Sequence, residues 1–110
     1  MPYFMLQASY TTDSIAAMVK KPEDRAAAVR VAIERFGGKM HGFYFCFGDY
    51  DAVVIAEAPD NVTMAAISMA IGSTGALKAF KTTVLLPPEQ SMQAMRKAGE
   101  LAAAYRPPGR

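Results

Sequence analysis

The chain has 110 residues, 52% hydrophobic and 20% charged, with 12 basic against 10 acidic side chains for a formal net charge of +2. That length holds one domain, the apolar content excludes a disordered polymer, and so small a charge excess argues against a nucleic-acid partner. Met1 to Leu6 lack the basic and apolar regions of a signal peptide, and no apolar run approaches about 18 residues, so the expected location is the cytoplasm, with no membrane partner.

Residues 3–10 alternate, with Phe4, Leu6 and Ala8 on one face and Tyr3, Met5, Gln7 and Ser9 on the other, the period of a strand. Thr11, Thr12, Asp13 and Ser14 offer N-caps for a short helical turn, with Asp13 the expected cap. The main helix is expected from Pro22 or Glu23. Ala26, Val29, Ile33 and Phe36 form its inward stripe, and Gly37 and Gly38 end it.

Residues 39–47 read as the second strand, 48–51 as a turn and 52–58 as the third strand. Strict alternation assigns His41, Phe43, Phe45 and Phe47 to one face and Met40, Tyr44 and Cys46 to the other. In the third strand Val53 and Ile55 oppose Val54 and Ala56. Both strands are apolar on both faces, so both faces should be covered. A second helix, 61–72, follows Pro59 and Asp60, with Val62, Ala66 and Met69 expected inward. Residues 76–86 form a fourth strand, Pro87 and Pro88 open a third helix to about Tyr105, and 106–110 are a tail.

Residues 1–87 thus predict an α+β, ferredoxin-like βαββαβ antiparallel sheet with helices on one face, and 88–110 add a C-terminal helix and tail to the same domain. The open sheet face, expected to carry Phe, Met and Ile, exceeds the apolar patch a soluble monomer exposes. Sheet faces are therefore expected to pair between subunits in a homodimer or a larger even-numbered assembly.

The turn Gly48-Asp49-Tyr50-Asp51 resembles the name-giving motif of the GYD family of small bacterial domains. Phe36-Gly37-Gly38-Lys39, Glu57-Ala58-Pro59-Asp60 and Ser73-Thr74-Gly75 are similar to the pattern of that family, and the likeness spans residues 3–86. The helix after residue 88 departs from it. The resemblance implies a ferredoxin-like fold related to the dimeric α/β-barrel proteins. Those include small-molecule binders, isomerases, cofactor-independent monooxygenases and haem-degrading enzymes, and the GYD family has no generally assigned reaction.

Four residues carry candidate chemistry. Tyr50 and Asp51 could line a pocket mouth as hydrogen-bond groups for a small apolar or aromatic ligand, although Gly and Asp are also ordinary turn residues. His41, the one histidine, could contact the same ligand or serve as the base of a cofactor-independent monooxygenase or isomerase; a lone strand histidine is more often structural. Asp13, by fold analogy to small CRISPR-adaptation nucleases, could hold a divalent cation at a dimer interface for phosphodiester cleavage, although an N-cap role needs no metal. Cys46 lies five residues from His41 and makes a poor catalytic dyad with it, and the eight methionines suit core filling better than metal ligation. No cofactor and no resident metal are expected. A structural role in assembly stands beside these readings.

Overall fold

A computed structural model describes all residues, 1–110. The elements in order are β1 (Tyr3–Tyr10), α1 (Thr12–Lys20), α2 (Arg25–Arg35), β2 (Lys39–Phe45), β3 (Ala52–Glu57), α3 (Asn61–Gly72), β4 (Leu77–Leu85) and α4 (Pro88–Ala102). The four strands form one sheet in the order β2-β3-β1-β4, and every neighbouring pair is antiparallel. This is the ferredoxin-like α+β arrangement expected from the sequence.

Capping residues decide where the helices begin. Thr11, not Asp13, caps α1: its Oγ1 accepts from the Ser14 N–H at 3.2 Å, and Asp13 sits exposed in the first turn. The expected short turn is a nine-residue helix. Asp24 accepts from the Ala27 N–H at 3.2 Å, which starts α2 at Arg25, later than Pro22 or Glu23. Asp60 caps α3 through the Thr63 N–H at 2.7 Å. At the end of α2 the chain turns sharply at Gly38. A Cβ there would press on the Glu57 carbonyl and lie 2.9 Å from Ile33 Cγ2, so helix and sheet approach closely only with glycine at this position.

The core is a single layer between the sheet and α2 and α3. Phe4, Leu6, Val54 and Ala56 meet Ile33, Met64 and Ile67 there. Each large side chain so buried contributes about 1.5–3 kcal/mol relative to exposure. In α3 the inward stripe is Met64 and Ile67, with Ile71 packed against the same core. The expected Val62 and Met69 are 79% and 74% exposed. This helix has no charged residue, so periodicity could not choose its buried face. An apolar strip, Val62, Ala65, Ala66 and Met69, consequently faces outward.

The pairing of β2 with β3 is interrupted by a bulge between Met40 and Gly42. The extra residue, His41, breaks the alternation. Met40, Phe43 and Phe45 pair with Ala56, Val54 and Ala52 of the covered face, whereas Tyr44 pairs with Val53 on the open face. His41 joins the open face, opposite to its expected Phe companions. The strand ends at Phe45, and Phe47 lies fully in solvent.

The open face is built in rows across the sheet: Tyr44, Val53, Gln7 and Lys81, then Gly42, Ile55, Met5 and Thr83, then Glu57, Tyr3 and Leu85. Its centre is apolar, with Met and Ile as expected and Tyr in place of Phe. No helix covers it.

Helix α4 projects from this body and makes no substantial contact with another element. The molecule measures 60 × 33 × 22 Å with a radius of gyration of 17.9 Å. A compact chain of this length would have a radius of gyration of roughly 13 Å. On a helical wheel Met92, Ala94, Met95, Ala98, Gly99, Leu101 and Ala102 fall on one side of α4 and Glu89, Gln90, Gln93, Arg96, Lys97 and Glu100 on the other. Met92, Met95 and Leu101 are more than half exposed. No helix of the chain is long and apolar enough to cross a membrane.

Candidate functional site

The turn after β2 folds back on the end of β1 and fastens it. Asp51 donates its N–H to the Ala8 carbonyl at 2.8 Å, and its Oδ2 accepts from the Tyr10 N–H at 2.9 Å. Ser9 Oγ donates to the Asp49 carbonyl at 2.5 Å. Within the turn the Cys46 N–H donates to the Asp51 carbonyl at 2.8 Å, and Cys46 Sγ donates to the Tyr50 carbonyl at 3.1 Å. Gly48, at φ 113°, supplies the positive dihedral that the turn requires. The Asp51 carboxylate is therefore occupied by backbone, and the turn acts as a clasp between β1 and the β2–β3 hairpin.

On the open face His41 Nε2 lies 2.7 Å from Glu57 Oε2, and its ring stacks on Tyr3 at a centroid distance of 5.4 Å. A carboxylate that holds an imidazole this way fixes its tautomer and orientation. Glu57 is the partner that sequence reasoning missed. Its signal was the hairpin register, which sets Glu57 opposite Lys39 and within reach of the bulged histidine. Asp13 stands apart, and no three His, Cys, Asp or Glu side chains of the chain converge to hold a metal ion. Cys46 and His41 do not meet.

Two concavities lie elsewhere. A cavity of about 160 Å³ sits between the covered face of the sheet and α2 and α3, walled by Leu6, Val29, Phe43, Val54, Ile71 and other mainly apolar side chains. A wider groove of about 720 Å³ runs beside α1 and the start of α2, lined by Ser14, Met18, Lys20, Lys21, Glu23 and Arg25. Tyr10, Arg25 and Ala76 border both. Tyr50, Asp51 and His41 line neither, so the structure separates the expected pocket-mouth residues from these spaces.

One titratable group is clearly displaced from its ordinary value. Asp60 is held low, first by the backbone N–H of Thr63 and then by its side chain. Hydrogen bonds to the carboxylate favour its ionised form, as a helix cap requires.

Sheet order, one-sided helices and the hairpin clasp define an α+β ferredoxin-like domain with an uncovered sheet. The match to the GYD domain family runs over residues 4–95, and the chain belongs to that family. The family match takes in the first half of α4. The chain is 35% identical over 79 residues to the glutamine synthetase and cystathionine beta-lyase binding protein of Thermus thermophilus, covering 71% of this chain and 82% of that one. Among solved structures, MtbAldR superposes with a TM-score of 0.57 at 15% identity over 78% of this chain, which spans 53% of the MtbAldR chain. TTHA0845 of Thermus thermophilus superposes with a TM-score of 0.53 at 16% identity, covering 79% of this chain and 95% of that one. Both likenesses are of fold.

Proposed function

We propose that the protein is a homo-oligomeric binding module of the cytoplasm, whose copies pair through the open sheet face, with α4 reaching onto a neighbouring copy. The observation that carries this reading is the pair of apolar surfaces without a partner: the sheet face centred on Met5, Val53 and Ile55, and the Met92, Met95 side of α4. A helix so exposed gains little from its own propensity and needs a packing surface to be worth ordering. With the sheets facing inward, the apolar strip of α3 stays on the outside, where it offers contact area to another protein. The Thermus thermophilus relative is named for binding two enzymes. That name supports a partner protein, and the two corresponding enzymes of the source organism are the first to test.

The experiment is surface plasmon resonance of the assembled protein against those two enzymes, with wild type and Met69→Glu. Saturable binding weakened by the substitution supports docking through α3. No binding to either enzyme, from a protein that still assembles, removes the enzyme-docking part.

A second reading, a small apolar or aromatic ligand, is favoured by the cavity between sheet and helices. Its polar contacts come from Arg25 and Tyr10 rather than from Tyr50, Asp51 and His41. The enzymatic readings rest on fewer groups. An oxygenase or isomerase would use His41 with Glu57 on the sheet face, and loss of turnover in His41→Ala is its test. Metal-dependent phosphodiester cleavage would use Asp13 from two subunits, and its absence with magnesium or manganese sinks that idea.

A further inference from the structure

The cavity under α2 and α3 has the volume of an engineered apolar cavity that takes up benzene, about 150 Å³. Thirteen of the fifteen residues that line it are hydrophobic, and its one charged side chain is Arg25. A closed apolar space would accept any small hydrocarbon. This one adjoins the groove, whose lining carries three cationic side chains, Lys20, Lys21 and Arg25, and one carboxylate, Glu23. An apolar interior with a cationic mouth matches a molecule with one apolar end and one anionic end.

The side chains at the junction fit that division. Arg25 borders both spaces, and its one ion pair, Nη1 to Glu23 Oε1 at 3.1 Å, joins side chains that are 31% and 54% exposed. Exposed pairs of this kind are worth little and exchange readily for a better-placed anion. A guanidinium offers a planar fork that suits a carboxylate. Tyr10, which also borders both spaces, is 7% exposed, and its hydroxyl takes part in none of the side-chain hydrogen bonds of the chain. That hydroxyl oxygen is not sealed from solvent, so at the groove it is free to donate to a ligand oxygen.

We infer that the cavity and groove form one binding site for an amphipathic monocarboxylate, with a single ring or short aliphatic tail among Leu6, Val29 and Ile71 and the carboxylate on Arg25, supported by Tyr10, Lys20 and Lys21. This rests on the cavity reading given above. It adds the anionic head and the residues that read it.

The test compares 3-phenylpropionate with its uncharged isostere 3-phenylpropionamide by NMR titration of the methyl groups of Leu6, Val29 and Ile71, in wild type and in Arg25→Gln. The carboxylate is expected to bind about tenfold more tightly than the amide, a margin appropriate to a charge-assisted hydrogen bond. Arg25→Gln should erase the margin and leave amide binding in place, and added salt should narrow it. Intermolecular NOEs from the phenyl protons to those methyls in wild type locate the ring without any variant. Equal binding of the two probes, with NOEs, overturns the carboxylate assignment and keeps the cavity. No NOE and no methyl shift from either probe overturns both.

Discussion

Asp51 Oδ2 accepts the backbone N–H of Tyr10 at 2.9 Å, joining the hairpin turn to the last residue of β1 across 41 positions of the chain. Tyr10 is 7% exposed, so without that carboxylate its N–H is left buried beside few alternatives. Removing the acceptor of a buried donor costs about 1–3 kcal/mol. Asp51→Ala should therefore lower stability by that amount in urea unfolding, while Asp51→Asn, which keeps an acceptor oxygen, should lose less. Equal stability of wild type and Asp51→Ala would contradict the clasp.

Gly38 is a second family-motif position with a structural reason, here a steric one. A methyl group there meets the Glu57 carbonyl and Ile33 Cγ2, which belong to strand and core and cannot swing away. Overpacking of this kind costs about 1–3 kcal/mol. Gly38→Ala should reduce the midpoint of thermal unfolding, and its amides near Ile33 and Glu57 should shift most in an NMR spectrum. An unchanged midpoint would mean that α2 is free to move from the sheet.

The Asp60 cap has a pH signature. Its folded pKa lies below its ordinary value, so its contribution is present in full above the ordinary aspartate range and is lost as pH falls through the folded value. Wild type should exceed Asp60→Ala in thermal stability at neutral pH, and the difference should close in acid. A difference that stays constant from neutral pH into acid would contradict the cap.

His41 and Glu57 form their pair on the surface that is proposed to be an interface. The pair is partly exposed, 32% at His41 and 15% at Glu57, and surface pairs contribute about 0–1 kcal/mol to folding. His41→Ala should thus leave the monomer's unfolding nearly unchanged and weaken subunit association, read as a higher dissociation constant in sedimentation equilibrium. A large loss of folding stability with association intact would reverse that assignment.

The sequence made the element order legible because strand and helix periods are local and the Gly, Pro and Asp punctuation is clear. Residues 3–10 coincide with β1, and the Val54, Ala56 face of β3 is the buried one, as alternation requires. His41 lies on the face opposite to the one strict alternation predicts, because a one-residue bulge inverts every later side chain and leaves no local mark. In α3 no charged residue marks the outer face, so periodicity alone does not give the buried one, and the phase is set by the Asp60 cap and the sheet below. Asp51 and Tyr50 were visible as a turn, yet the acceptor role of Asp51 depends on Tyr10, far away in sequence. The cavity and its basic mouth come from α1, α2, α3 and the sheet together, and no motif announces them.

On the proposed reading, this chain completes its hydrophobic surfaces with copies of itself. Sedimentation equilibrium of the full chain, with the Met92→Glu/Met95→Glu double variant alongside, addresses it most directly. Wild type should fit a dimer or a larger even-numbered assembly. The double variant, whose changes lie on exposed positions and should each alter folding by less than about 0.5 kcal/mol, should have a lower average mass. A wild-type chain that stays monomeric across the concentration range would contradict the account and leave the open sheet face and α4 to some other partner.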